Sequence, residues 1–418
     1  MNKSAEHQTT LSRTEPTDAA ALHKMPFRWV MLALLWLLYF SFGVVTRSPS
    51  PLITPIINDL KMSYGQMGFV LGSWQMTYIA LAIMAGIIMD RWGIKRSIFA
   101  GALIIGLSAT LRAFSTGFFT LFIFVALFGA GGPMISIGCP KTIALWFKGK
   151  ERGTAVGIYT TGTWIGGMTS LAATNGVVMP LVDNSWRLAF VCYGVMAFVL
   201  ALFWLFFAKD VNPETESERF NPVHVLEGLM KVLNVRIILL CGLLAFGIGH
   251  GFFAWLPKIL EAKGFSPTFA GIGSATPFIA SIPAVLTIPR SVPAHFRGKI
   301  IALLAVLVVI SILWVVATPL PPIVGLLLYG ASGTCLMPLL VLTLMEIPEV
   351  ASKYLGSAIG VFFCVAEIGG FFGPFVVGYL VDVTGGFLSG AFFLSGLSVI
   401  ILALMLPLKI SSTRADGG

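Results

Sequence analysis

Charged residues are scarce in this sequence. Only 11% of its 418 residues are charged and 57% are hydrophobic, whereas soluble domains carry about 25% charged residues. The mean hydropathy is +0.91. So few charges cannot cover a water-facing surface, which excludes an ordinary soluble protein. The composition predicts an all-α integral membrane protein whose surface faces lipid.

Cysteine and histidine are also sparse. The five cysteines lie inside apolar runs, and none has a cysteine or histidine partner at metal-ligand spacing. We therefore expect no disulfide framework, no metal and no cofactor. The net charge of +9 comes from bases spread over short loops, which is typical of membrane topology rather than of a nucleic-acid surface.

Long apolar runs dominate the sequence. A helix needs about 20 apolar residues to cross a bilayer, and this criterion predicts twelve spans: 27–57, 65–89, 97–113, 117–146, 153–177, 186–208, 236–258, 267–289, 299–318, 320–345, 355–381 and 386–408. Pro49, Pro51 and Pro55 fall in the first span and predict kinks rather than breaks. The polar N-terminus lacks a cleavage site and reads as a tail.

The bases indicate the orientation. With both termini inside, 21 of the 27 Lys and Arg residues lie on the inner side and 6 on the outer side. Since inner loops carry the excess of bases, we expect a monomeric, multi-pass cell-membrane protein with both termini in the cytoplasm.

The spans form two related groups. The predicted organisation is a cytoplasmic tail (1–26), a six-helix bundle (27–208), a cytoplasmic linker (209–235), a second six-helix bundle (236–408) and a C-terminal tail (409–418). The segment "GTAVGIYTTGTWIGG" (153–167) matches "GSAIGVFFCVAEIGG" (356–370) at an offset of 203. "FGAGG" (128–132) matches "YGASG" (329–333) at an offset of 201. The two matches indicate a duplicated six-span unit.

The hairpin after span two carries a motif: Gly86-x-x-x-Asp90-Arg91-x-Gly93-x-Lys95-Arg96. With twelve spans, the duplication, "ERGTAVG" (151–157) and "WRLAF" (186–190), it is similar to the signature of the major facilitator superfamily. The resemblance implies a secondary transporter that works by rocker-switch alternating access. It also implies that Asp90 latches the cytoplasmic side by contacting the start of span eleven and bases such as Arg152.

The second half has no acid at the place that matches this hairpin, "IPRSVPAHFRGK" (288–299), so we expect the latch on one side only. A gate pair between Lys141 and Glu346 is an alternative to interfacial roles for these two residues. Arg112 is expected to be an anchor at the membrane interface.

The subfamily stays open. Arg47, eight residues before Pro55, resembles the arginine that contacts the substrate carboxylate in organic anion:cation symporters, but Thr46, Val125 and Gly132 or Pro133 replace other charged residues of that group. The segment "GCPKTIALWFKGKERG" (138–153) resembles cyanate-type carriers. Neither the span-four arginine nor the "GPxxGG" pattern of proton-driven multidrug antiporters is present.

Charged groups in the middle of a span are costly and are candidate functional residues. Glu367 is the candidate for ion coupling, with a hydrogen-bonded structural role as the alternative. Arg47 suits bidentate binding of a carboxylate, and an arginine that reaches the outer headgroups is the alternative. His250 can contact a substrate oxygen or simply pack. Further candidate cavity contacts are Trp74, Gln75, Tyr78, Trp164 and Trp255.

These features predict a carrier that moves a small organic solute, an anion if Arg47 binds it, coupled to H⁺ or Na⁺ or working by exchange. The alternatives are an efflux carrier for a neutral or cationic compound and a non-transporting membrane sensor on the same fold. A membrane enzyme is not expected, because the sequence has no Walker lysine loop, no zinc-protease motif and no paired acidic cluster in a span.

Overall fold

The computed structural model describes residues 26–209, 228–347, 350 and 355–406. The predicted N-terminal tail, most of the linker and the C-terminal tail lie outside these residues. The helices of the first half are α1 (Phe27–Arg47), α2 (Tyr64–Trp92), α3 (Ile94–Arg112), α4 (Phe118–Trp146), α5 (Gly149–Ala173) and α6 (Trp186–Phe207). Those of the second half are α7 (Leu233–Ala262), α8 (Pro267–Ser291), α9 (Arg297–Ala317), α10 (Ile323–Ser332), α11 (Leu355–Thr384) and α12 (Leu388–Met405).

Three helices continue through irregular turns. After α1, a 3₁₀ turn (Ser50–Leu52) leads into a short helix (Ile53–Leu60), as the prolines there predict. A π turn (Thr174–Val178) extends α5. In α10 a 3₁₀ turn (Gly333–Cys335) joins the first segment to a second one (Leu336–Met345).

Local signals set several helix ends. Ser63 and Gln66 form a capping box at the start of α2, and the hydroxyls of Ser185 and Ser266 accept hydrogen bonds from backbone N–H groups at the starts of α6 and α8. Gly93, with φ 83°, ends α2 and begins α3. That left-handed conformation costs a glycine nothing sterically, so the hairpin motif gains its tight corner there.

Within the described residues, eleven helices are long and apolar enough to span a membrane. They include every predicted span except the fifth. Helix α5 carries Lys150, Glu151 and Arg152 in its first turns and many small or hydroxyl residues after them, so its own composition is less apolar. It packs against α1 and α8, and small residues suit such close contacts between helices.

We call the side of the molecule where α1 begins and α2 ends the terminal side, and the opposite side the far side. Arg28 pairs with Glu151 on the terminal side at 2.8 Å. Arg187 pairs with Asp59 on the far side. Both pairs join helices of the first half, and both stand at the ends of the bundle where charges can reach water or headgroups.

Arg112 is not the interface anchor that the sequence suggested. Its side chain is 1% exposed, its Nη1 donates to the Val45 carbonyl at 3.0 Å, and its Nη2 donates to the Ser108 hydroxyl at 3.2 Å. It also lies 5.7 Å from the centre of the Phe190 ring. Because α1 ends beside it, Arg112 donates to a carbonyl of the last helical turn, and the Ser48 hydroxyl donates to the same carbonyl at 3.0 Å.

We expect Arg112→Met to destabilise the protein, because the change preserves much of the apolar stem but removes one of the two hydrogen bonds to the Val45 carbonyl. A hydrogen bond that involves a charged group contributes about 1.5–3 kcal/mol. The measurement is the melting temperature of the detergent-purified protein. Arg236→Ala, at an exposed position, is the control, and equal melting temperatures for the two variants would contradict this role.

Candidate substrate site between the two halves

The halves approach each other most closely on the far side. A Cβ added at Gly72 of α2 would lie 2.6 Å from the Phe371 carbonyl of α11, and the Pro374 carbonyl lies closer still to the corresponding position at Gly68. Gly271 of α8 contacts the Leu171 carbonyl of α5 in the same way. Small residues thus let the α2–α11 and α5–α8 pairs meet backbone to backbone.

A carboxylate from the second half caps the first turn of α2. Asp382, near the end of α11, accepts hydrogen bonds from the Tyr64 N–H at 2.8 Å and the Gly65 N–H at 2.7 Å. These N–H groups have no partner inside their helix, and the positive end of the helix dipole favours a carboxylate. The contact therefore holds the two halves together on the far side.

Further polar contacts reinforce this closure. Thr54 donates to Glu261 at 2.6 Å, and Lys258 donates to the Thr54 hydroxyl at 2.8 Å. The Asn175 amide donates to the Pro267 carbonyl at 3.2 Å. Within the described residues, the hydrogen bonds that join the halves run from the middle of the molecule to the far side.

The halves separate toward the terminal side. Ile83 and Met84 of α2 are 66% and 55% exposed. A Cβ at Gly157 of α5 or at Gly360 of α11 would meet no atom within 4 Å, unlike the crowded glycines of the far side. The described residues thus form a closed far side and an open terminal side, with a space between the halves that widens toward the terminal side.

Arg47 lies at the closed end of this space, where α1 ends. Its guanidinium is 5.2 Å from the centre of the Phe253 ring of α7 and within electrostatic range of Tyr329 and His250. Among the described residues, no hydrogen-bond acceptor or carboxylate pairs with it. A half-buried guanidinium with free donors is suited to bind a carboxylate.

A second polar cluster lies where α2, α7 and α11 meet. The Gln75 Nε2 is 3.1 Å from the His250 Nδ1, a hydrogen bond between the halves. A Cβ at Gly370 would lie 3.1 Å from the Gln75 Nε2 and 3.3 Å from both the Glu367 Oε2 and the His250 Cδ2. Buried Gln75 Oε1 and Glu367 Oε2 have no hydrogen-bond partner, so this cluster retains unused acceptors.

The aromatic candidates divide into two groups. Trp74 lies 5.9 Å from the His250 ring, the Tyr78 hydroxyl hydrogen-bonds Ser136 at 2.7 Å, and Trp164 meets Phe278 edge to face at 6.3 Å. Trp255 differs. It has 0% exposure and its Nε1 donates to the Pro374 carbonyl at 2.9 Å, so its predicted substrate contact is wrong for this conformation: it seals the α7–α11 contact.

The hairpin motif lies on the open side. Asp90 pairs with Lys141 of α4 at 2.8 Å rather than with the predicted Arg152, which is exposed. Lys141 therefore does not pair with Glu346, whose partner is Arg297. Gly86 has no neighbour within 4 Å of an added Cβ.

Within the described residues, no hydrogen bond or ion pair joins the three bases of the motif to the second half. Arg91 and Arg96 are exposed, and the Lys95 carbonyl accepts a hydrogen bond from the Trp204 indole at 2.9 Å. The hairpin thus makes its described contacts within the first half. The latch that Asp90 was expected to form is not closed in this conformation.

The expectation of a latch on one side only is also wrong. Asp382 provides a carboxylate latch on the far side, and its segment has the spacing of the hairpin motif: Gly378-x-x-x-Asp382-x-x-Gly385 against Gly86-x-x-x-Asp90-x-x-Gly93. That spacing was the available signal. Phe253 and Tyr329, the aromatic residues near Arg47, had no comparable signal because the helices are rich in aromatics.

The fold and this divided arrangement define a multi-pass membrane transport protein rather than an enzyme. The sequence profile of the Major Facilitator Superfamily matches residues 35–354. The chain belongs to that superfamily, and the family and fold class predicted from the sequence are confirmed.

Individual relatives agree with the family. The chain is 27% identical to the hexuronate transporter of Bacillus subtilis (strain 168), over 91% of this chain and 96% of that one. It is 23% identical to a putative tartrate transporter of Agrobacterium vitis, over 96% and 94%. The solved structure of the nucleoside transporter NupG shares the fold, with a TM-score of 0.72 at 16% identity over 92% of this chain and 100% of that one.

We expect Asp382→Asn to weaken closure of the far side. A carboxylate at a helix N-terminus contributes about 0.3–2 kcal/mol, so the ratio of far-side-closed to far-side-open molecules should fall up to about thirtyfold. Spin labels at Asp183→Cys and Ala262→Cys, exposed far-side positions in the two halves, measure the change as a longer distance.

Asp59→Asn is the matched control, because it removes a far-side carboxylate whose partner Arg187 belongs to the same half. An unchanged distance distribution in Asp382→Asn, or the same change in Asp59→Asn, would refute the proposed latch.

Proposed function

We propose that this chain is a carrier that moves a small organic anion across the membrane by alternating access. The single observation that carries the anion assignment is Arg47, whose guanidinium lies between the halves without an acceptor among the described residues. A cation in such a place needs an anionic partner, and the substrate can supply it.

The named relatives support the same class of cargo. Hexuronate, galacturonate and tartrate, the compounds in the names of related transporters, all carry carboxylates. The guanidinium fork matches a carboxylate bidentately. We propose substrate-binding roles for Arg47, His250, Gln75, Trp74, Tyr78 and Trp164, and their grouping near the space between the halves supports those roles.

The proposed orientation has both termini in the cytoplasm. The excess of bases on the terminal side supports it. With that orientation the described conformation is open to the cytoplasm and closed to the outside. The opposite state requires the far-side contacts of Asp382 to break, and we propose that Asp90 and its hairpin then engage the start of α11.

We propose Glu367 as the ion-coupling residue. Its side chain is 8% exposed, its Oε2 has no hydrogen-bond partner, and it lies beside the His250–Gln75 contact between the halves. A buried carboxylate is stabilised by taking up a proton or a cation. Because the cluster joins both halves, loading it with an ion can be linked to their separation.

For Arg47→Ala we expect uptake of tartrate or galacturonate into proteoliposomes to fall to background, and binding to weaken at least about thirtyfold, because removing one member of a buried charge pair costs about 2–5 kcal/mol. Arg47→Lys should recover only part of the affinity, since lysine cannot bind bidentately. Unchanged uptake in Arg47→Ala would remove the anion assignment.

For Glu367→Gln we expect uptake driven by a proton or Na⁺ gradient to be lost, whereas exchange of labelled for unlabelled anion continues. Exchange needs no net movement of the coupling ion, so it separates coupling from binding. Glu151→Gln, a terminal-side carboxylate paired with Arg28, is the control. Gradient-driven uptake that survives in Glu367→Gln would exclude the coupling role.

A further inference from the structure

The residues around the site occur in pairs separated by the repeat offset of 203. Each pair takes one residue from each half: Arg47 and His250, Trp164 and Glu367, Gly167 and Gly370, Gln75 and Phe278. We define the first pole as Arg47, Trp164, Gly167 and Phe278, and the second pole as His250, Glu367, Gly370 and Gln75. The duplication thus places four equivalent positions at two locations in one space.

The two poles have the same construction. A Cβ at Gly167 would lie 3.2 Å from the Arg47 Cγ and 4.0 Å from the Phe278 Cζ. A Cβ at Gly370 would lie 3.3 Å from the His250 Cδ2 and 3.1 Å from the Gln75 Nε2. In each pole the glycine lies beside a side chain from its own half and also beside a side chain from the other half.

The chemistry of the poles differs. The first pole offers one cation among aromatic rings, since Phe253 and the Trp164–Phe278 pair surround Arg47 on its apolar sides. Such a pole holds one carboxylate and has few other polar groups to offer. The aromatic faces exclude water, which strengthens the charge-assisted hydrogen bonds.

The second pole offers hydrogen-bonding groups but no permanently charged cation. The Gln75 amide donates to the His250 Nδ1, which leaves the other ring nitrogen of His250 as a donor. The unpartnered Gln75 Oε1 and Glu367 Oε2 are acceptors. Two acceptors and a donor thus cluster beside Gly370, where an added Cβ would be crowded. They complement the hydroxyl groups of a carbon chain, each of which both donates and accepts. Both acceptor atoms are buried in this conformation, so a hydroxyl group reaches them as the halves move apart.

We propose that the second pole selects hydroxylated anions: the first pole binds the carboxylate and the second binds hydroxyl groups at the other end of the same molecule. This inference rests on the proposed function, because it needs the carboxylate at Arg47. It goes beyond it in assigning Gln75, His250 and the side-chain-free position at Gly370 to substrate selection. It also brings the substrate into contact with Glu367, the proposed coupling residue.

Matched ligands test this proposal. We would measure the affinity of the purified protein for tartrate against succinate and for galacturonate against cyclohexanecarboxylate, each pair differing in hydroxyl groups but retaining carboxylate. The wild-type chain should favour the hydroxylated member at least about tenfold, since a site built for hydroxyls rejects an analogue that lacks them.

Gln75→Met, which preserves the length of the side chain without its amide, should reduce that preference at least about tenfold while the affinity for succinate stays within about twofold. Gly370→Ala should act in the same direction, because its Cβ would crowd Gln75, Glu367 and His250. Gly167→Ala is the control in the first pole and should weaken both members of each pair equally, because both carry the carboxylate.

The outcomes separate the two proposals. Binding of none of the four anions would overturn the anion carrier and this inference together. Binding without preference, or a Gln75→Met variant that loses both members of a pair equally, would overturn only the second pole and leave the carrier intact. If the hydrogen bond between Gln75 and His250 were only structural, its loss could not change the ratio of the affinities for two ligands in a variant that still binds one of them normally.

Discussion

The backbone contact of α2 with α11 and of α5 with α8 is the constraint on which the rest of the structure depends. Where glycines at positions 68, 72 and 271 allow carbonyls of the other half to approach, the halves cannot part without losing these backbone contacts. The polar groups of the site begin immediately beyond that contact, at Gln75 and Gly370. Separation of the same helices farther along creates the space on the terminal side.

Much of this could be predicted from the sequence. Hydropathy and the internal repeat are sufficient to predict twelve helices in two related halves. This is because a chain in a bilayer has few ways to satisfy the hydrogen-bonding groups of its backbone. Arg47, His250, Gln75 and Glu367 stood out because polar groups in apolar runs are costly. The structure then brings all four toward one space, although their roles in transport remain proposals.

What the sequence could not predict depends on which face of a helix meets which neighbour. The sequence suggests a cavity contact for Trp255 and, from its place at the end of a span, an interface role for Arg112, but both side chains are enclosed by other helices. Asp382 was overlooked because it seemed to belong to the end of a span. Asp382 contacts the start of α2, which lies more than three hundred positions away in the sequence. No local sequence pattern predicts a contact between residues so far apart.

The two poles show how duplication can produce an asymmetric site. Equivalent positions bear Arg47 in one half and His250 in the other, so the two halves share the placement of these residues but not their chemistry. A molecule held at both poles touches both halves at once. Its binding energy can therefore be used to change the angle between them, provided that it binds one conformation better than the other.

The ion pair between Asp90 and Lys141 has a consequence for the kinetics of the cycle. Suppose that a carboxylate lost its only partner whenever the terminal side opened. The open state would then be far less populated than the closed state, and the change from closed to open would be slow. Asp90 instead has an exposed partner in its own half, and exposed pairs contribute little. If Asp90 exchanges one weak contact for another during the cycle, the exchange adds little to the free-energy difference between the end states. That difference is then left to whatever binds between the halves.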